Sequence, residues 1–390
     1  MTGDGVTTLN EPLQKIRRGN EKRVIEALKA HGTLTRAQLC QQSELSRTTM
    51  YRILRSLRDN EVISERICEH TTGVRGRPTS VLSLNPVMGA VLGIELGRSQ
   101  AAVVVMNYAG AKVGEGRVRF EHTMEWDESM SALLSLVHEV GQELDGKWSG
   151  LKQVFVGLHG LMPSSENFVD SSERDTRIRS LITALDERLA TPIMVESNTR
   201  LAAIAEYEAR ALENGNLLYC HLSRGVGSAL LIGGEAYRGS SNSAGEFGHM
   251  CVDPRGQPCR CGGRGCLETV VGIDHVLNRA QAIDGSIGTF NQLCTGHYRR
   301  SGSMRKMIEV TAQHLGQAVG NVCNVFDPGE VVLGGELVDL GDEFINSVRR
   351  SISRVVLMQV KEQLNVSVSR LGSDAAATGA ALMGLRRVLD

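Results

Sequence analysis

The first helical periodicity is carried by EKRVIEALKAH, residues 21–31, which sets Val24, Ile25 and Leu28 on one side before Gly32 ends the run. Thr35-Arg36-Ala37-Gln38 then matches a capping box, with Thr35 as N-cap and Gln38 three residues on. It predicts a short helix to about Ser43 that buries Leu39 and Cys40. Leu45 falls in a turn, and Ser46 caps a third helix, RTTMYRILRSLRDN, whose Met50, Ile53, Leu54 and Leu57 form one apolar face. Two short strands follow, about Val62–Cys68 and Thr79–Leu84. From residue 87 strands and helices alternate. VLGIELGRSQAAVVVMNYAGAKVGEG reads as three strands joined by turns, and LLYCHLSRGVGSALLIGGEAYRGS, from residue 217, repeats that reading. Helices are predicted at about 127–145 and 304–326. The order is that of an α/β body in two related halves, with a cleft between them where a ligand can bind.

Charge divides the chain at the same place. The net charge is −1, but residues 1–84 hold 14 Lys/Arg against 9 Asp/Glu, and the remainder 29 against 35. A basic head on an acidic body points to a nucleic-acid-binding module joined to something else. The polar face of the third helix offers Arg47, Thr48, Tyr51, Arg52 and Arg55. With Thr49, and Arg36 from the preceding helix, these are the candidate contacts to base edges and phosphates of a major groove. The two strands and their connection EHTTGVRGRPTS make a wing. Its tip, Arg75-Gly76-Arg77-Pro78, is slender enough to place two arginines in an A/T-rich minor groove. The competing readings are a solvated amphipathic helix and an ordinary linker. Hydrophobic content of 41% and charged content of 22% are those of a globular protein. No apolar run approaches the ~18 residues that span a bilayer, and the N-terminus has no signal-like apolar region, so a cytoplasmic protein without a membrane partner is expected.

The densest chemistry is GEFGHMCVDPRGQPCRCGGRGC, residues 245–266, with one histidine and four of the nine cysteines. His249, Cys259, Cys261 and Cys266 make a four-coordinate set of one imidazole and three thiolates. That set suits zinc, and its closure suits a structural rather than a catalytic site. Cys251 and Asp253 compete for a ligand position. Unmetallated cysteines and a nucleic-acid-binding zinc ribbon are the other readings.

The winged head, the turn at 93–99, the His/Cys cluster and the LETVVG that follows it together resemble the ROK family (repressors, open reading frames and sugar kinases), and its transcriptional branch in particular. The resemblance covers essentially the whole chain, and its most specific part is Glu246-x-Gly248-His249 followed by Cys-x-Cys-x4-Cys. It selects His249, Cys259, Cys261 and Cys266 as zinc ligands and leaves Cys251 out. It implies an N-terminal winged helix-turn-helix domain at 1–84 and a two-lobed, actin-like and ribonuclease-H-like body. The first lobe would be 85–195 plus 377–390, and the second 196–376, with the zinc site and effector pocket.

The same resemblance allows a comparison with kinase members. Their general base is an Asp in a stretch similar to E-N-D-A-N-A-A-A. Here the run is Glu196-Ser197-Asn198-Thr199-Arg200-Leu201-Ala202-Ala203, so an amide stands at the base position. The phosphate loops, similar to D-x-G-G-T and G-T-G-x-G-G-G in the family, read Glu95-Leu96-Gly97-Arg98-Ser99 and Ser223-Arg224-Gly225-Val226-Gly227-Ser228-Ala229, each with an intruding arginine. No catalytic residue and no kinase activity are expected. Glu246, His249 and Glu268 match positions that contact sugar hydroxyls, and Asn198 and Arg200 stand beside them. The expected function is a sugar-responsive transcriptional regulator, most simply a repressor. It would act as a homodimer or homotetramer on a palindromic, A/T-rich double-stranded DNA operator. The alternatives are an active sugar kinase and a ligand-independent repressor with a vestigial pocket.

Overall fold

The computed structural model describes residues 11–59, 62–68, 79–85, 89–120, 124–144, 150–160, 173–212, 215–295 and 301–389. The head comprises α1 (Glu11–His31), β1 (Thr33–Thr35), α2 (Arg36–Ser43), α3 (Arg47–Asp59), β2 (Ile63–Cys68) and β3 (Thr79–Leu84). The capping box at Thr35 forms as the sequence predicts, with reciprocal Thr35–Gln38 hydrogen bonds. Ser46 Oγ accepts from the Thr49 N–H at 3.2 Å and so starts α3. Met50, Ile53, Leu54 and Leu57 are all buried, as is Leu39, while Cys40 is only half-buried. Helix α1 begins ten residues before the apolar periodicity does. Its first half, EPLQKIRRGN, is largely built from residues that favour a helix intrinsically, with no apolar stripe to reveal it.

The first lobe contains β4 (Ala90–Leu96), β5 (Gln100–Asn107), β6 (Lys112–Arg119), α4 (Trp126–Glu143), β7 (Leu151–Leu158), α5 (Glu173–Leu189) and β8 (Ile193–Ser197), and α6 (Asn198–Ala209) leads from it into the second lobe. The second contains β9 (Leu217–Leu222), β10 (Val226–Ile232), β11 (Glu235–Ala236), α7 (Glu268–Val271), α8 (Ile273–Ile283), α9 (Phe290–Cys294), α10 (Gly302–Phe326), β12 (Glu330–Gly334), α11 (Asp342–Val355), α12 (Met358–Gln363) and β13 (Asn365–Val368). Helix α13 (Ala375–Leu389) closes the chain. Each lobe is built on a five-stranded sheet, ordered β6-β5-β4-β7-β8 and β11-β10-β9-β12-β13. In both, an antiparallel three-strand meander is extended by two parallel strands. The duplicated hairpin pattern in the sequence is therefore a duplicated topology. Among the described residues no helix is long and apolar enough to cross a membrane.

Helix α13 joins the parts. It packs on β4 and β7 of the first sheet and on α6. Ala377, Ala381 and Leu385 belong to the same buried cluster as Val24, Leu28, Leu39, Leu57 and Leu82 of the head. Two glycines permit the approach. A Cβ on Gly93 would lie 2.2 Å from the Ala377 carbonyl oxygen, and one on Gly379 1.8 Å from that of Leu201. Both obstacles are backbone, which cannot swing aside. Nearby, the fully buried carboxylate of Glu206 on α6 accepts from the Ser369 hydroxyl at 2.5 Å, the Leu371 N–H at 3.0 Å, the Arg370 N–H at 3.2 Å and the Arg210 guanidinium. Removing one member of such a buried pair costs about 3–5 kcal/mol.

Gly93→Ala is expected to destabilise the body by about 1–3 kcal/mol, since overpacking here can be relieved only by moving α13. Chemical denaturation checks this, and an unchanged midpoint would contradict the packing described.

Candidate effector cleft, metal cluster and DNA-binding face

On the head, Arg47, Thr48, Tyr51, Arg52 and Arg55 are exposed on the face of α3 opposite its buried stripe, and Tyr51 is 64% exposed. An aromatic ring left in water on a helix with a complete core face needs a reason, and a groove supplies one. Thr49 is half-buried and hydrogen-bonds Ser46. Arg36 is differently placed from the expectation. Its guanidinium reaches both oxygens of Glu65 on β2, at 2.8 and 3.1 Å, and Arg58 of α3 reaches the same carboxylate at 3.0 Å. The Ser80 hydroxyl first, then Arg36 and Arg58, hold the Glu65 carboxyl below the usual range. Glu65 thus ties α2, α3 and the wing strand together, with Arg36 bound to it through one guanidinium nitrogen. Arg75 and Arg77 lie outside the described residues.

The His/Cys loop folds as a short irregular excursion after a single 3-10 turn at Phe247–His249. Its four ligand atoms, from His249, Cys259, Cys261 and Cys266, come within 4.8 Å of one another. His249 Nδ1 lies 3.5 Å from Cys259 Sγ, and Cys261 Sγ 3.6 Å from Cys266 Sγ. A tetrahedral zinc with bonds of about 2.3 Å separates its sulfurs by about 3.8 Å, so the spacing fits that ion. Gly265, at φ 66°, passes Asp253 so closely that a Cβ would sit 1.6 Å from its carbonyl oxygen. The Gly263 N–H donates to Cys261 Sγ at 3.4 Å and pulls that thiol's pKa down. Burial, then the neighbouring thiols, push Cys266 up to about 12, a cost that a bound cation offsets. Cys251 is exposed and stands outside the group. Glu246 Oε2 lies 3.8 Å from His249 Nε2, on the side of the ring away from Cys259.

Between the lobes lies a cavity of about 680 Å³, lined among others by Glu95, Arg98, Asn198, Arg200, Arg224, Asn242, Glu246 and Arg260. Its size is that of small-molecule sites. Of the sugar contacts expected from sequence, the wall includes Asn198, Arg200 and Glu246 but not His249 or Glu268. Glu268 is 4% exposed and committed. It accepts from Arg260 at 2.7 and 3.1 Å and from the Val226 N–H at 2.9 Å. Arg200 is committed too. It donates to Glu196 at 3.0 Å and, at 2.6 Å each, to the side chain and the backbone carbonyl of Asn242. Arg238 closes on the other oxygen of Glu196. This buried group latches β8 and α6 to the loop leading into the metal site. Arg238 and Asn242 carry no signal in the sequence, because they lie 42 residues from their partners. Arg260, set between two ligand cysteines, could have been noticed.

Asn198 lies on the cavity floor, where its Nδ2 donates to the Leu96 carbonyl at 3.4 Å. A carboxylate there would face that carbonyl with two acceptors and no donor. Glu95, beside it on β4, is buried and accepts from Gln100 at 3.1 Å. Burial, reinforced by Asp374, pushes its carboxyl up to about 8.

Two outcomes follow from this geometry. If the cluster holds a metal ion, Cys259→Ser should lose that stoichiometric metal by elemental analysis and lower the melting temperature, whereas Cys251→Ser should do neither. Because folded Glu95 holds its proton up to about pH 8 and an unfolded glutamate releases it near 4.5, stability should fall as pH rises through that window. Glu95→Gln, which mimics the protonated acid, should flatten that slope in denaturation curves taken at pH 5 and pH 9.

Residues 91–387 match the ROK family, and residues 17–64 match a winged helix-turn-helix DNA-binding domain. The chain is 25% identical over 381 residues to the DNA-binding transcriptional dual regulator NagC of Escherichia coli, covering 93% of this chain and 92% of that one. It is 23% identical over 376 residues to the xylose repressor of Bacillus subtilis, covering 96% and 97%. Among solved structures, a ROK family transcriptional regulator described as a homologue of E. coli MLC superposes with a TM-score of 0.76 at 23% identity, over 96% of both chains. A ROK hexokinase from Thermus thermophilus superposes at 0.61 with 25% identity, over 77% of this chain and 99% of that one. The kinase covers the body alone, while the regulators extend over the head as well. The chain belongs to the ROK family, as one of its helix-turn-helix-containing transcriptional regulators.

Proposed function

We propose that the protein is a sugar-responsive repressor of carbohydrate uptake or catabolism genes, and that its cleft binds a sugar-type effector without phosphorylating it. The observation that carries this reading is Asn198. Its amide stands on the floor of a kinase-like cleft and donates to the Leu96 carbonyl, so the position has no group to take a proton from a sugar hydroxyl. The relatives' names supply the sugar connection, and the exposed polar face of α3 supplies the DNA connection.

His249, Cys259, Cys261 and Cys266 would hold a structural zinc, which supplies a rigid cross-link at the cleft edge. With all four positions filled by protein, no place remains for a reactive water. The clamp sets Glu246 at the cavity wall as the one carboxylate of the expected set that still faces a ligand. The duplicated sheet order supports the actin-like reading of the body, in which an effector changes the angle between lobes. Helix α13 and the buried cluster it shares with the head would pass that change to the recognition helices. In a dimer or tetramer bound to a palindromic, A/T-rich operator, half-site spacing makes such a change visible as lost affinity. Arg75 and Arg77 are proposed as minor-groove contacts.

A vestigial pocket is the competing reading, and full commitment of Arg200 to Glu196 and Asn242 favours it. Gel-shift titration separates the two. A sugar or sugar derivative should weaken operator binding at least ten-fold, and Arg52→Ala should weaken it without effector. No response to any effector would leave the vestigial reading. In a coupled assay with ATP, phosphoryl transfer should stay at background, and sugar-dependent turnover would overturn the non-enzymatic reading.

A further inference from the structure

Three arginines converge on one part of the cleft. Arg98 stands on the turn between β4 and β5, Arg224 on the turn between β9 and β10, and Arg260 in the metal loop, and all three line the cavity. Two of them have counter-ions set back from the wall. Arg224 pairs with Asp274 at the start of α8, and Arg260 with Glu268, and neither carboxylate lines the cavity. Arg98 has no ion pair among the described residues. Of the three guanidiniums, that of Arg98 alone stands without a carboxylate paired to it among the described residues. Desolvation, and then the like charges of Arg260 and Arg224, pull the Arg98 pKa down. An anion placed among them would relieve both costs.

None of the acids elsewhere in the wall forms an ion pair with these three arginines among the described residues: Glu336 accepts the Ser223 hydroxyl at 2.7 Å, Glu246 and Asp339 lie apart from them, and burial pushes the Glu95 carboxyl up to about 8. Nor does the site suit a nucleotide's phosphate chain. Such a chain is cradled by free backbone N–H groups on glycine loops. Here the Val226 N–H is taken by Glu268 at 2.9 Å, and long side chains occupy the turns. Guanidinium forks recognise a single phosphoryl or carboxylate group through paired hydrogen bonds.

We propose that Arg98, Arg224 and Arg260 form an anion subsite, and that the effector is a sugar bearing a phosphoryl or carboxylate group. The inference rests on the effector reading above and names the class of ligand. It also gives the two arginines that interrupt the phosphate loops a role.

The test is isothermal titration and thermal shift on the full-length protein. The ligands are glucose, xylose and N-acetylglucosamine, each beside its phosphate ester and its aldonic acid, with inorganic phosphate and ATP as further probes. At least one charged form should bind ten-fold or more tightly than its parent sugar, with inorganic phosphate competing. Arg98→Gln, at an exposed turn, should abolish that preference with the melting temperature unchanged, and Arg98→Lys should retain part of it. A neutral sugar that binds as tightly as its charged forms, indifferent to Arg98→Gln, would sink the anion subsite and leave the sugar response standing. Arg98-dependent binding of inorganic phosphate without any sugar would uphold the subsite and sink the sugar response. ATP binding more tightly than every sugar derivative would overturn the ligand class, and silence across the whole panel would overturn both readings.

Discussion

The body depends on how closely one helix can approach its neighbours. Helix α13 touches β4 where Gly93 lacks a side chain and touches α6 where Gly379 lacks one, with backbone against backbone at both points. Interiors packed this tightly do not deform continuously; they shift as units. The same helix shares a buried cluster with the head through Ala377, Ala381 and Leu385. That cluster also holds Val91, Val104 and Met106 of the first sheet, so helix, sheet and head share one core.

The second determinant is how the cleft distributes its charges. Most ionisable groups there are already satisfied. Glu268 is held by Arg260 and a backbone N–H, and Glu196 by Arg200 and Arg238. Glu95 avoids the cost of a buried charge by keeping its proton. Groups satisfied in this way hold shape. Asn198 adds a neutral amide to the same wall. The loop that carries Glu246 and Arg260 also groups four side chains able to hold a metal ion. Among the described residues of the wall, Glu246, Asp339, Arg98 and Arg119 form no ion pair with another wall residue, and they give the cleft its chemical character.

Much of this was legible in the sequence. The capping box at Thr35–Gln38, the i, i+3, i+4 stripe of α3 and the paired strand meanders are local patterns, and local sterics and solvent decide them. The metal cluster was legible for the same reason, since all four ligands lie within 18 residues joined by glycine turns. The first half of α1 was not legible, because helix propensity without an apolar stripe leaves no periodic signal.

The sequence by itself determined the winged head, the duplicated α/β body and the four side chains that come together as a possible metal site. Only the tertiary structure decided what the charged side chains do. It withdrew Arg36 onto Glu65, Glu268 onto Arg260, and Arg200 onto Glu196 and Asn242, while leaving Arg98 unpaired among the described residues. The reason is range. A helix stripe or a ligand loop is fixed by neighbours a few residues away, whereas an arginine's partner is whichever carboxylate the fold brings near, here 42 residues distant for Arg238 and Glu196 and 50 for Arg224 and Asp274.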